Sequence, residues 1–489
     1  MAAVPKNRLW TLMLLVSALG TGWSQSNGWE LPANSGGQAS NGQASSGQGS
    51  IPQADLGPDS APQPAETSPI SALDQSSVEP TQAPSRSCLL AGIHVSQGAE
   101  SNPSWMSGFS SQTASVTNLL GSLSLLKSRR TSETAIDYMG GDTLYSEYAA
   151  EKPHNQQFEK LNADERFLWP KGQLAFRDSF YTGDGDFGSS SFGGVGAYNS
   201  TGVGAGIPAN TGVSDFFGAS QFGEVSQEAY VTNASVVDFT QALTPRSSAY
   251  VAGDYSFTDY LSNTESLFNS RQISAQAGYD HQLSRPAEIE AVYGYQVFKF
   301  PQSGVGKLVA NSVQLAYQRR VSGRMDLLLG IGPEFINLSG GTSGKTMQIT
   351  ATVQASLRYR WQKSSLSLSY NRLVSAGSGF FAGGISQIAL LSLSRNISRS
   401  WRTILDGGYT KVSGIGLSAA GTPATSYEYG YAGAAIQRQL GRSLTAFASY
   451  QFNNENFGGC GASQNCIPPL HPQIVLIGFD WYIRPVRLD

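Results

Sequence analysis

Apolar and polar residues alternate almost without fault over residues 348–362. Ile349, Ala351, Val353, Ala355, Leu357, Tyr359 and Trp361 are apolar, and Thr350, Thr352, Gln354, Ser356, Arg358, Arg360 and Gln362 between them are polar. A period of two places the two sets on opposite faces of a β-strand. In a soluble sandwich such alternation lasts about 4–8 residues. Here it is longer, ends on Tyr and Trp, and returns down the chain. Over 273–279, Ile273, Ala275, Ala277 and Tyr279 alternate with Ser274, Gln276 and Gly278; over 366–370, Leu366, Leu368 and Tyr370 alternate with Ser367 and Ser369. One face oily and one face wet over this length fits a strand with lipid outside and a lumen inside. The pattern predicts an all-β chain forming a closed antiparallel transmembrane β-barrel.

The clearest strands are predicted at 249–257, 273–279, 289–297, 313–317, 348–362, 366–370, 403–409, 427–435, 444–452 and 474–483. Fainter ones lie at 89–97, 117–126, 134–145, 158–168, 174–180, 229–243, 325–338 and 387–394. Together they give about 18 strands, with about 16 as the fallback if the early ones are discounted. The connections alternate strictly. LKSRRTSE, WPKG, LTPRS, SRPAE, VSGR, WQKS, ISRSW and LGRS are short; 184–223, 301–311, 339–346 and 453–472 are long. Outer-membrane barrels have short periplasmic turns and long outer loops, so an even strand number with both termini inside puts every short turn on the periplasmic side. Basic residues gather at those turns, among them Arg129, Arg130, Lys171, Arg246, Arg285, Arg324, Lys363, Arg399 and Arg442, and Trp169, Trp361, Trp401 and Trp481 lie near the same end. Aromatic girdles and snorkelling cations mark a membrane interface. The basic ring also implies a vestibule that favours anions modestly.

Composition narrows the class. Of 489 residues, 14% are charged and the net charge is −3, which leaves no nucleic-acid footprint. Lys6 and Arg8 precede an apolar run at 9–19 and small residues at 20–24, so 1–24 is expected to be a secretory signal peptide. Residues 25–86, rich in Ser, Gln, Gly and Pro, cannot bury enough apolar surface to offset ordering and are expected to form a disordered periplasmic linker. The barrel then occupies 87–489. Cys460 and Cys466 share a Gly/Pro-rich loop, and in an oxidising compartment they are expected to form a disulfide; Cys88 is left over. The four His are scattered and no haem motif occurs, so no cofactor or metal is expected. The expected surroundings are outer-membrane lipid and, during biogenesis, the barrel-assembly machinery. The layout also allows a homo-oligomer and a periplasmic partner reached through the linker.

The last strand, QIVLIGFDWYI, resembles the C-terminal recognition signal of bacterial outer-membrane proteins: Gly478, Trp481 and Ile483 match it. Leu476 stands where a polar residue is usual, and RPVRLD runs past the strand. The chain is thus similar, over 89–483 and in architecture, to the porin-like outer-membrane barrels. In the general diffusion porins the third outer loop folds into the lumen. The resemblance implies that role for 184–223, with acidic loop residues facing basic wall residues. The candidate pore-lining residues are Arg177, Asp184, Asp186, Thr352, Gln354, Arg358 and Arg360.

His94-Val95-Ser96 resembles the H-x-S pair of some outer-membrane lipid hydrolases. In those the pair faces lipid; here Leu89, Ala91, Ile93 and Val95 take the apolar face, so His94 and Ser96 point inward. Gln97-Gly98 replaces the usual Asn-Gly, and no acid near the pair orients the His as nucleophilic catalysis requires. No enzyme is expected. A siderophore transporter would need a folded plug that the low-complexity linker does not supply. The expected function is passive diffusion of small polar solutes, mildly anion-favouring. Polymer export is the runner-up, followed by a surface adhesin or structural barrel without an open pore.

Overall fold

A computed structural model describes residues 87–101, 113–145, 155–184, 229–261, 267–301, 306–339, 346–377, 379, 381–415, 426–458 and 471–488. The chain divides into two units, 1–61 and 62–489, and every described residue lies in the second. The expected signal peptide and linker, Asp186, Cys460 and Cys466 lie outside the described residues.

The strands are β1 (Cys88–Ser101), β2 (Thr113–Ser128), β3 (Ser132–Tyr145), β4 (Asn155–Trp169), β5 (Gly172–Asp184), β6 (Ala229–Thr244), β7 (Ser247–Tyr260), β8 (Ser270–Ser284) and β9 (Ala287–Lys299). They continue with β10 (Lys307–Ser322), β11 (Met325–Ser339), β12 (Thr346–Arg360), β13 (Ser364–Ser375), β14 (Gly384–Asn396), β15 (Trp401–Gly414), β16 (Ser426–Gln439), β17 (Leu444–Gly458) and β18 (Gln473–Tyr482). Each pairs antiparallel with the next, and β1 pairs with β18 from Gly92↔Tyr482 to Ser101↔Gln473, so the sheet closes. A two-residue β19 (Val486–Arg487) prolongs the β1 edge beyond Ile483. The eighteen-strand expectation holds and the fallback of sixteen does not: the faint early strands are all present. Closure is required because an open edge in lipid would leave backbone groups unpaired. Each odd strand follows its even predecessor through a tight turn, whereas the even strands follow wide gaps, which reproduces the two-ended layout read from the sequence.

Alternation sets the two faces. Ile349 is 63% exposed on the outer face while Thr352 is 9% exposed inside. Outward positions such as Val251, Ile273, Leu329, Ile331 and Ile477 form the apolar belt, and Trp169, Trp361, Trp401 and Trp481 are exposed at the short-turn end. Inward positions are mostly polar and, unlike those of a wide water-filled tube, largely buried: Gln272, Ser274, Gln276, Gln296, Gln451 and Asn453 are examples.

One wall segment departs from the tube. β12 pairs with β11 up to Leu338↔Thr346, and β13 with β14 up to Ser375↔Gly384. Yet β12 and β13 pair only from Arg360↔Ser365 to Val353↔Arg372. Beyond that point, toward the long-loop end, the two strands part. By alternation with the outward Val353↔Arg372 pair, Val374 and its partner Ile385 belong to the lipid side. Instead they are buried with Phe298, Phe300, Leu308, Ala310 and Ile336, which line the inner face of β9–β11. The upper β13–β14 hairpin is therefore tucked inside the barrel, its nominal outer face against the nearby inner wall of β9–β11.

Candidate functional site

The tucked hairpin tip, within 376–383, reaches across the lumen near the long-loop end. Gly377, Gly379 and Gly383 have φ of +98°, +87° and +89°, a left-handed backbone that only Gly adopts without strain, and they fold the tip back on itself. Its bonds run to two other segments and across its own base. The Phe268 amide donates to the Gly379 carbonyl at 2.7 Å, the Ile415 amide to the Gly383 carbonyl at 3.1 Å, and Gly383's own amide to Ala376 at 2.9 Å. Phe381, 1% exposed, packs into a cluster of Tyr230 and Tyr260 from β6–β7 and Val412, Tyr427 and Tyr429 from β15–β16. Those strand pairs stand on opposite sides of an eighteen-strand ring, so the cluster spans the lumen. Where β13 leaves β12, its edge is rebonded locally. Thr352 Oγ1 donates to the Arg372 carbonyl at 3.2 Å, Arg372 Nη2 donates to Thr350 Oγ1 at 3.2 Å, and the Val374 amide donates to the Glu334 carboxylate on β11.

Below the tip the wall is rich in carboxyl groups. Asp254 (β7), Asp280 (β8), Glu288 and Glu290 (β9), Asp326 and Glu334 (β11) share the inward register. Among the described residues of β7–β9 no Lys or Arg faces inward; Arg271 and Lys299 take the outer register. Tyr250 donates to Glu290 at 2.6 Å, Gln276 to Tyr250 at 3.1 Å and Ser248 to Asp280 at 3.1 Å. Asp254 Oδ1, Asp280 Oδ1 and Glu334 Oε2 are buried without a hydrogen-bond partner among the described residues. The cations of the wall sit instead on β4–β5 and at the short-turn end. Arg177 lies 3.1 Å from Asp164 and 2.9 Å from Asp238, and Arg166 lies 3.0 Å from Asp164.

The candidates from the sequence separate. Arg177, Thr352, Gln354 and Arg358 occupy inward positions, and Arg360, inward at the short-turn end, lies 3.7 Å from Asp326. Asp184 is the last residue of β5, paired with Ala229. The third long connection, where the porin-type constriction was expected, lies at 185–228, outside the described residues. What crosses the lumen in the described part is the seventh connection. Its signal in the sequence was AGSGFFAGG, four glycines flanking two aromatics, which reads locally as an ordinary turn.

The reading of His94 needs correction. An acid does orient it, supplied from the far end of the chain: β1–β18 closure sets His94 opposite Asp480, and His94 Nδ1 lies 2.6 Å from Asp480 Oδ1. His94 Nε2 lies 3.3 Å from Ser96 Oγ, and Phe447 stacks on the imidazole at 5.0 Å.

No family model and no curated protein matches the chain. Among solved structures, it is similar to Pseudomonas aeruginosa OprD, 9% identical over 82% of this chain and 96% of that one, TM-score 0.38. It is similar also to Acinetobacter baumannii OccAB4, 7% identical over 82% and 99%, TM-score 0.40. The unliganded ferric citrate transporter FecA is 12% identical over 80% of this chain, TM-score 0.37, but the chain spans only 63% of its length. At these values the likenesses add nothing to the strand pairing, which establishes the architecture by itself. The chain is a closed eighteen-strand antiparallel β-barrel with an apolar outer belt. Its inner wall is polar along most of its length and apolar where the β13–β14 hairpin crosses it.

Proposed function

We propose that this protein is a gated outer-membrane channel for small polar solutes, shut in this state by the β13–β14 hairpin. The register break at Val353↔Arg372 carries the reading. Continued in register, Leu373, Val374 and Ser375 would meet Thr352, Ala351 and Thr350. Those positions on β12 have no strand partner on that side among the described residues. Swinging the hairpin outward would complete the wall and clear the lumen together. Val374 and Ile385 suit both positions, since lipid tails are as apolar as the cluster they would leave. Locking the two states tests this in planar bilayers, in a background with Cys88→Ser, Cys460→Ser and Cys466→Ser. Ala351→Cys with Val374→Cys, oxidised, should hold the hairpin in the wall and give steady conductance; Ile336→Cys with Val374→Cys should hold it inside and silence the channel. Equal conductance of both would reject the gate, and no conductance from any form would reject the channel.

Selectivity follows from which charges sit deepest. The basic turns would enrich anions at one mouth, the preference expected from the sequence. Asp254, Asp280, Glu290 and Glu334 lie farther in than the basic turns, whereas Glu288 and Asp326 stand beside them, and screening by salt is weaker farther in. We infer that the open channel favours cations, and that the sequence-based expectation of a mild anion preference gives way to this. Deleting 188–219 tests separately whether the third connection narrows the lumen, which would raise conductance. Nothing described favours polymer export.

A further inference from the structure

We propose that Ser96, His94, Asp480 and Asn118 form an acyl-transfer site on the inner wall, able to hydrolyse a carboxylic ester. The four come together only through sheet register. His94 and Ser96 are two residues apart on β1 and share its inner face. Closure sets Asp480 of β18 beside His94, β1–β2 pairing sets Asn118 opposite Ser96, and β2–β3 pairing sets Thr143 opposite Asn118. Gly478 faces Ser96 across the seam; a Cβ there would meet Phe447 Cζ at 2.6 Å and Ser96 Cβ at 2.7 Å, so only Gly lets Phe447 pack beside the pair.

The hydrogen bonds all run in the direction that acyl transfer needs. The Asp480 carboxylate, 2.6 Å from Nδ1, accepts a hydrogen bond from the Nδ1–H tautomer and so leaves Nε2 as the acceptor. Nε2 is 3.3 Å from Ser96 Oγ, within reach of a base and its nucleophile before substrate tightens the contact. Thr143 Oγ1 donates to Asn118 Oδ1 at 2.9 Å, which turns the amide so that Nδ2 donates to Ser96 Oγ at 3.0 Å. A side-chain amide held beside the nucleophile can also donate to the oxyanion that forms on the attacked carbonyl. Ser96, His94 and Asn118 are buried, so water does not compete for Nε2.

The steps balance with water as co-reactant. Ser96 Oγ attacks the ester carbonyl as its proton passes to His94 Nε2, and Asn118 Nδ2 donates to the resulting oxyanion. The carbonyl re-forms, the alcohol departs with the proton from Nε2, and an acyl-Ser96 remains. Water then attacks the acyl carbon, giving a proton to Nε2. Ser96 Oγ leaves, recovers that proton, and the carboxylic acid is released. Asp480 and Thr143 are positioning residues. Because Ser96 is 1% exposed in this closed state, turnover requires a state that uncovers it, and a small uncharged probe is the right first substrate.

Full-length protein in detergent is treated with diisopropyl fluorophosphate and, separately, p-nitrophenyl acetate. The expected result is a covalent adduct on the peptide carrying Ser96, together with ester hydrolysis. Both should vanish in Ser96→Ala and fall to background in His94→Gln, while Asn118→Ala should lose about 10²-fold in rate. Asp480→Asn should lower the rate and alter the pH profile, and Asp480→Glu should restore part of it, which a merely structural role would not do. Heat-modifiable migration on gels verifies that each variant is a folded barrel. No adduct on Ser96 in folded wild type after prolonged exposure would overturn the proposal, as would labelling that survives His94→Gln unchanged. The outcome does not depend on whether the lumen conducts.

Discussion

Arg177 shows how a single inward side chain is fixed by its neighbours. It bridges Asp164 and Asp238 on the two flanking strands, and the Asp238 side chain is almost wholly buried. Removing one partner of a buried ion pair leaves an uncompensated charge, which costs about 3–5 kcal/mol. Arg177→Met should therefore destabilise the folded barrel by that order in a urea-dependent refolding assay, and adding Asp238→Asn should recover much of the loss. Alternation makes a second residue-scale prediction. Val353→Arg places a charge on the lipid side and should cost about 2–4 kcal/mol near the midplane, whereas Thr352→Arg, one residue away, should be tolerated. The reverse ranking would mean that the strand is assigned one residue out of register.

At the scale of elements the hairpin is the exceptional piece. Consecutive strands follow a simple meander that β1–β18 closes, but β12 and β13 part before either strand ends. The tip tolerates little. A Cβ on Gly379 would lie 2.3 Å from the Tyr260 hydroxyl, and its φ of +87° strains any other residue. Gly379→Val should loosen the docked tip and raise the open probability in single-channel records; unchanged records would place the closure elsewhere. The proposed Cys460–Cys466 disulfide belongs to another long connection. A thiol titration of folded protein should find one free Cys, the buried Cys88, after unfolding without reductant; three free thiols would reject the pairing.

Across the whole molecule, closure brings the chain's ends together and with them His94 and Asp480, 386 residues apart. The same closure gives the wall an uneven charge, carboxyl groups on β7–β11 and paired cations on β4–β5. With the hairpin held in the wall, a KCl gradient should give a reversal potential of cation-selective sign. Glu290→Gln with Asp254→Asn should move that potential toward zero, and an anion-selective potential would show that the basic mouth dominates.

The alternation of residues 348–362, the strict sorting of turns by length, and the Trp girdle pointed to a closed membrane barrel of 16 to 18 strands and to the inward register of Thr352, Gln354 and Arg358; the pairing of the sheet settled on eighteen. These are local properties: period two and turn chemistry act between neighbours, and the lipid imposes the same rule on every strand. The inward carboxyl groups of β7–β9 were legible by the same rule, one strand at a time. The tucked hairpin and the Ser96–His94–Asp480 contact were not. Val374 and Ile385 are apolar in either position, so no pattern along the chain says whether lipid or Phe298 and Ile336 will cover them. Asp480 is one acid among many until β1 and β18 pair. Both depend on which distant strands meet, and that is decided only when the sheet closes.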